Sequence, residues 1–192
     1  SLVLFVLATI ACPAAAGDET KTAPTLESIA ARLDAISATL DGYRHRLDAL
    51  EKKVDDGLWF GRLGEVAVID KVRLSGPPRW KEESATAIGA GNPVKFYVYL
   101  FTPKGFDDAG RLPLLVLPHG GVHADFTTYY AHIVRELVAQ GYIVVAPEYR
   151  GSTGYGRGMY EDIDYGGLEV DDALAEHPQG RAELVHTAGA MR

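Results

Sequence analysis

From residue 26 to residue 54 apolar side chains recur in alternating steps of three and four: Leu26, Ile29, Leu33, Ile36, Leu40, Tyr43, Leu47, Leu50 and Val54, with mostly polar residues between. A repeat of 3.5 residues held over this length draws a single stripe along a helix and predicts the a/d seam of a coiled coil. Thr25 stands where an N-cap hydroxyl belongs, and Glu27 lies in the first turn, where the helix dipole favours an acid. Gly57 is the expected stop, so the helix is predicted over residues 25–57. Two fates suit the stripe. It pairs with another copy, parallel or antiparallel, or it folds back onto the neighbouring domain; the length of the repeat favours pairing, and the chain is expected to form a homo-oligomer. Gly42 weakens the helix in mid-run. Leu at a with Ile at d leans toward more than two strands, but Tyr43 and Leu50 at d blur that signal and leave the number open.

Beyond residue 57 the texture changes to strands. Residues 65–74 are β-rich and close on Ser75-Gly76-Pro77-Pro78; residues 94–102 form a second run, closed by Pro103-Lys104-Gly105. Residues 114–117 are all apolar, as in a strand buried on both faces. A helix is predicted over residues 129–140, with Ile133, Leu137 and Val138 toward the core and Gly141 ending it. Residues 142–147 make the next buried strand. Strand, loop, helix and strand in this order predict a βαβ unit with a parallel pair. A glycine-rich stretch occupies residues 150–158, and a polar helix starts near Tyr165.

Composition narrows the classes. Of the 192 residues, 47% are apolar and 23% charged, which fits one globular domain plus extra segments. A net charge of −7 gives no electrostatic case for nucleic acid as a partner. The lone cysteine, Cys12, excludes an intrachain disulfide framework, and no histidine shows paired ligand spacing with a third partner. No metal and no cofactor are expected. Residues 1–16 read as a signal peptide: an apolar run over residues 2–11, too short to span a bilayer, then Ala14-Ala15-Ala16-Gly17 as a cleavage site. Export to a periplasm or the exterior follows. Thr9-Ile10-Ala11-Cys12 is an imperfect lipobox, which makes a lipid anchor at Cys12 the weaker alternative. Residues 17–24 are a polar linker.

Specific chemistry enters at His119-Gly120-Gly121-Val122-His123, which follows the all-apolar strand. It continues through Gly141-Tyr142-Ile143-Val144-Val145-Ala146-Pro147 and Glu148-Tyr149-Arg150-Gly151-Ser152-Thr153-Gly154-Tyr155-Gly156 to Tyr165-Gly166-Gly167 with Asp171-Asp172. In this order and spacing the motifs resemble the catalytic domain of the prolyl oligopeptidase family of serine peptidases, in the style of its acylaminoacyl-peptidase and dipeptidyl-aminopeptidase members. The resemblance covers residues 112–175 well and 64–103 loosely. It implies an α/β fold for residues 63–175: the first four strands and first helix of an α/β-hydrolase sheet. In that fold the loop after the third strand offers backbone N–H groups to the oxyanion of a tetrahedral intermediate. The resemblance makes Gly121 the candidate donor in the loop His119, Gly120, Gly121, with His119 shaping it. Tyr149, Arg150, Gly151, Ser152, Gly154, Tyr155 and Gly156 form a structural family motif. Arg150, just past a buried strand, is expected to pair with Glu161, Asp162 or Asp164, or to lie solvated. His123 is given no role. The elbow G-x-S-x-G needs glycine where Arg150 stands, so Ser152 reads as a loop hydroxyl. No lysine closes the glycines into a phosphate loop.

The resemblance also implies a serine, an acid and a histidine downstream of the helix near Tyr165, in that order. Residues 176–192 instead hold no β-rich apolar run, and Pro178 would end the helix early. That tail is expected to be aberrant or disordered, after a frameshift, deletion or premature stop. The expectation is therefore an N-terminal fragment of an exported serine peptidase, without the Ser-Asp-His triad and inactive as written. A peptide becomes its substrate only if a C-terminal half completes it. The alternative is a non-catalytic, coiled-coil envelope protein with a hydrolase-like binding half. Without a fifth strand, residues 114–117 would form an aggregation-prone sheet edge.

Overall fold

The computed structural model describes residues 24–78, 93–105 and 112–174. The residues read as a signal peptide, with Cys12, nearly all of those read as a linker and the 176–192 tail lie outside the described residues. In chain order the elements are α1 (Leu26–Leu63), β1 (Ala67–Pro78), β2 (Pro93–Pro103), β3 (Leu114–Val116), a 3-10 turn (Thr128–Tyr130), α2 (Ala131–Ala139), β4 (Ile143–Glu148), α3 (Arg157–Glu161) and α4 (Leu168–Leu174). Among the described residues no helix is long and apolar enough to cross a membrane.

Gly57 does not stop α1. The helix continues to Leu63 because Trp59 and Leu63 are fully buried. A helical glycine costs about 1 kcal/mol, and burying one large apolar side chain returns about 1.5–3 kcal/mol. The real stop is Gly64, whose N–H bonds the Phe60 carbonyl at 2.9 Å and whose Cβ, if present, would collide with that same oxygen. The domain boundary moves with it. The chain divides into compact units at Ser37 and Ala38, so residues 38–63 of α1 belong to the unit that carries the sheet rather than to a separate coil. In the first unit Leu26, Ile29, Leu33 and Ile36 are all exposed.

The sheet runs β1-β2-β4-β3, with β2 antiparallel to both neighbours and β3 parallel to β4. These are the first four strands of an α/β-hydrolase sheet, as expected. Its inner strands are apolar on both faces. Tyr99, Phe101, Val144 and Ala146 join Trp59, Phe126, Val134 and Val138 on one side; Phe96, Val98, Leu100, Ile143 and Val145 form the core of the other. The Trp59 ring lies parallel to Phe126 at 5.6 Å and tilted against Phe101 at 4.9 Å. Among the described residues β3 pairs with β4 alone.

Helix α2 departs from its predicted phase at Ile133, while Val138 and the half-buried Leu137 pack on the core as predicted. The Thr127 hydroxyl accepts from the Tyr129 N–H and starts a 3-10 turn, so the α-helix proper begins only at Ala131. Ala131, Val134 and Val138 are buried, while Ile133 is 39% exposed. Val134→Ala should therefore cost about 1.5–3 kcal/mol and Ile133→Ala about 0.5 kcal/mol or less. Urea midpoints of the two variants check this, and equal losses would restore the original phase.

Candidate active site

Strands β3 and β4 are parallel, so both deliver their following residues to one edge of the sheet, the edge at which α/β folds bind ligands. The strand β4 extends one residue further than its apolar run, through Glu148, which pairs with Tyr97 and is fully buried. Tyr149 follows, its ring stacked on His119 at 4.3 Å. The Tyr149 hydroxyl lies 2.9 Å from the His119 carbonyl and 3.0 Å from that of Gly121. Its single proton is shared between them, which pins the loop from both ends. Gly121 has φ +86°, a conformation that a side chain strains. The Gly120 N–H reaches the Tyr130 hydroxyl at 3.4 Å, whereas no acceptor among the described residues takes the Gly121 N–H. An open cavity of about 370 Å³ adjoins this loop, walled by Gly121, Val122 and Tyr149 and across from them by Ile163 and Val170.

A buried polar network holds the loop from below. Lys52 of α1 places its Nζ 2.6 Å from Glu148, 3.2 Å from Asp125 and 2.5 Å from the Phe126 carbonyl. The Phe126 N–H donates to both Glu148 oxygens at 3.2 Å. His119 Nε2 sits 2.9 Å from Ser152 Oγ and 3.6 Å from Glu148 Oε2. Burial pushes the Glu148 carboxyl up to about 7 against the pull of Lys52, and burial lowers His119 to about 4.

A serine, a histidine and a carboxylate thus meet beside two glycine amides, as the residues of a nucleophilic triad would. The hydrogen-bond directions exclude that role. Ser152 donates its proton to the Tyr149 carbonyl at 2.6 Å, so His119 Nε2 must donate to the serine rather than accept from it. Glu148 approaches the same ring nitrogen, not Nδ1, where an orienting acid belongs. Ser152 is fully buried, and a histidine that holds its proton only near pH 4 is a poor base at neutral pH. The Ser152 hydroxyl ties the Arg150–Thr153 turn to the His119 loop.

Several side chains differ from the sequence expectation. The carboxylate paired with Arg150 is Asp172, with Nε–Oδ2 2.7 Å and Nη2–Oδ1 2.8 Å. The guanidinium also donates to the carbonyls of Pro78 at 2.9 Å and Pro77 at 3.1 Å. Glu161 pairs with Arg157 at 2.7 Å, and Asp164 accepts the N–H groups of Gly167 and Leu168 at the start of α4. Sequence proximity pointed at the wrong acids because α4 folds back over β1. His123 is not a free loop residue: its Nδ1 is 3.0 Å from the Gly151 carbonyl and its ring stacks on Tyr160 at 3.7 Å.

The glycines of the motif are explained by contact. A Cβ on Gly151 would stand 2.7 Å from Ile163, and one on Gly154 would stand 2.7 Å from the Lys52 side chain. Both also have positive φ. Gly156, at φ +88°, precedes α3, and Tyr155 stacks on Tyr97 at 5.3 Å. Among the described residues no group of three or more His, Cys, Asp or Glu side chains is placed to hold a metal ion. Lys52 is a site-supporting residue that sequence reasoning missed, and Asp172, read as part of the motif, was not matched to Arg150. The seven-residue spacing from Lys52 to Trp59 was the available signal for the first.

Comparison with known proteins supports the same reading. The mouse acylamino-acid-releasing enzyme is 36% identical over 64 residues, 33% of this chain and 9% of that enzyme. The dipeptidyl-peptidase 5 of Trichophyton equinum is 33% identical over 103 residues, 50% of this chain and 14% of that protein. Over this region the chain is similar to peptidases of these two kinds. It spans only 9% to 14% of the length of these relatives. No family profile matches it. Among solved structures, a Mycobacterium tuberculosis puromycin-hydrolyzing peptidase aligns at 25% identity with TM-score 0.44, over 64% of this chain and 17% of that one. A Pyrococcus horikoshii acylaminoacyl peptidase aligns at 17% identity with TM-score 0.44, over 60% and 17%.

Proposed function

We propose that the prolyl oligopeptidase-like region supplies the oxyanion side of a serine peptidase or related acyl hydrolase. The observation that carries this reading is the Gly121 amide. It has no acceptor among the described residues, and Gly121 lines a cavity, on a loop braced by Tyr149 and His119. When a nucleophile attacks a peptide carbonyl, negative charge grows on the carbonyl oxygen, and a fixed N–H beside it lowers the barrier; one such donor is worth about 10²–10³ in rate. His119, Ser152, Glu148 and Lys52 keep the donor in place and take no proton from substrate. The reacting serine and its partners are not among the described residues, and no G-x-S-x-G occurs in the 192 residues. The chain therefore has no hydrolase activity by itself, and peptides become its substrates when a segment bearing the nucleophile completes the sheet.

The test is direct. The purified chain should neither turn over nitrophenyl esters or aminoacyl-nitroanilides in a serine-dependent way nor label with a fluorophosphonate, and Ser152→Ala should change nothing. Labelling at Ser152 would sink this reading. Co-purification with a G-x-S-x-G polypeptide, with activity in the complex, is the positive arm. Export is part of the proposal, supported by the apolar run and small residues over residues 2–16; a mature N-terminus at Gly17 in an exported fraction checks it. A second reading, an envelope protein that assembles through its coil and binds rather than cleaves, draws support from the exposed seam of α1.

A further inference from the structure

Helix α1 has two faces, and its domain uses only one. His45, Lys52 and Trp59 are buried, each seven residues from the next, and Leu63 extends the same side. In the heptad they occupy the outermost position, opposite the a/d seam. Over this stretch the seam itself faces outward: Leu40 is 61% exposed, Tyr43 54%, Leu47 59%, Leu50 58% and Val54 66%. The apolar stripe therefore does not fold back onto the neighbouring domain; residues on the other side of the helix make that contact. A run of five large apolar side chains at heptad spacing is left without cover in this unit.

We propose that the α1 seam pairs with the same helix of a second copy of this chain, parallel and in register. The charges beside the seam set the direction. Arg46 and Lys53 flank it at the g positions, Arg44 and Glu51 at the e positions. In a parallel pair g faces the e position of the following heptad in the other helix, so Arg46 meets Glu51 of the second copy, twice by symmetry. In an antiparallel pair g faces g and e faces e, so the attraction of Arg44 for Glu51 is offset by Arg46 and Lys53 set against basic residues, whereas the parallel pair gains its Arg46–Glu51 contacts without that repulsion. Gly42 falls at c, off the seam, and leaves no gap in the contact. Lys52 leaves α1 on the face away from the seam to reach Glu148, so pairing leaves the cavity beside Gly121 open. The proposal stands without the peptidase reading, because it uses no residue of the oxyanion loop.

The experiment is cysteine cross-linking of the full chain with Cys12→Ser, combined with sedimentation equilibrium. Leu40→Cys and Val54→Cys lie about 21 Å apart along the helix. Both are expected to give disulfide-linked dimers under mild oxidation. An antiparallel pair can bring at most one of the two positions against itself, so a cross-link at only one, or at neither, overturns the proposal. Leu47→Asp is expected to convert the associated chain to monomer while the sheet-bearing unit keeps its near-ultraviolet circular-dichroism spectrum, since the side chain it replaces is exposed in the single copy; the melt falls by what association contributed. A monomeric unmodified chain at micromolar concentration overturns the proposal as well, whatever the hydrolase assays show.

Discussion

Asp172→Ala should lower the stability of the sheet-bearing unit by about 3–5 kcal/mol, a large part of what an ordinary domain possesses. Arg150 and Asp172 are both fully buried, and the two oxygens of Asp172 take the guanidinium and the Arg150 N–H at 2.7–3.0 Å. Removing the acid leaves an ionised guanidinium buried without its carboxylate, hydrogen-bonded to the neutral carbonyls of Pro77 and Pro78, and arginine cannot shed its proton to escape the cost. The same pair ties α4 to the end of β4, so the loss should loosen the wall of the cavity as well. A urea titration of the variant gives the magnitude. Replacing both partners, as in Arg150→Met with Asp172→Leu, should recover most of the loss. If the double variant is no more stable than the single one, the destabilisation comes from packing rather than from the stranded charge.

The second large effect is Lys52→Met. It strips the cation from Glu148 and Asp125 and should cost about 3–5 kcal/mol at pH 8. The loss should shrink toward pH 5, because an uncompensated buried Glu148 can then take up a proton. In the unaltered protein, two opposed titrations share this network. Glu148 binds its proton more tightly folded, at about 7, than at its ordinary 4.5, so its contribution to stability falls as pH rises from about 4.5 through 7. His119 binds its proton less tightly folded, at about 4 instead of 6.5, so its contribution falls as pH drops from about 6.5 through 4. Between roughly 4.5 and 6.5 the slopes oppose and stability is nearly flat. His119→Asn should unmask the Glu148 slope, with stability rising by up to about 3 kcal/mol from pH 8 to pH 5. Glu148→Gln should unmask the opposite slope. Urea midpoints at three pH values decide it. Parallel pH profiles for the two variants would mean that these groups do not titrate as described.

Much of the fold was legible along the chain because its inner strands are buried on both faces. Residues 142–147 carry an apolar run of the kind found in strands buried on both faces, and His119-Gly120-Gly121 announces a turn at the end of another such run. The heptad of α1 was equally plain. What could not be read was the partner of each buried polar group. Arg150 finds Asp172 rather than a nearer acid, and Lys52 reaches Glu148 across 96 positions of sequence. The helix outran Gly57 because a tryptophan two residues later had a core to enter.

Local chemistry written in the residue order determined where backbone must turn, which segments are apolar, and that the loop after β3 presents glycine amides. Those depend on conformational preference and periodicity, and both act within a few residues. Only the tertiary structure decided which face of α1 meets the sheet, which carbonyl takes the Ser152 proton, and which buried charges compensate one another. Such choices are set by distances between segments far apart in the chain and by the low dielectric around them, and no local pattern encodes either.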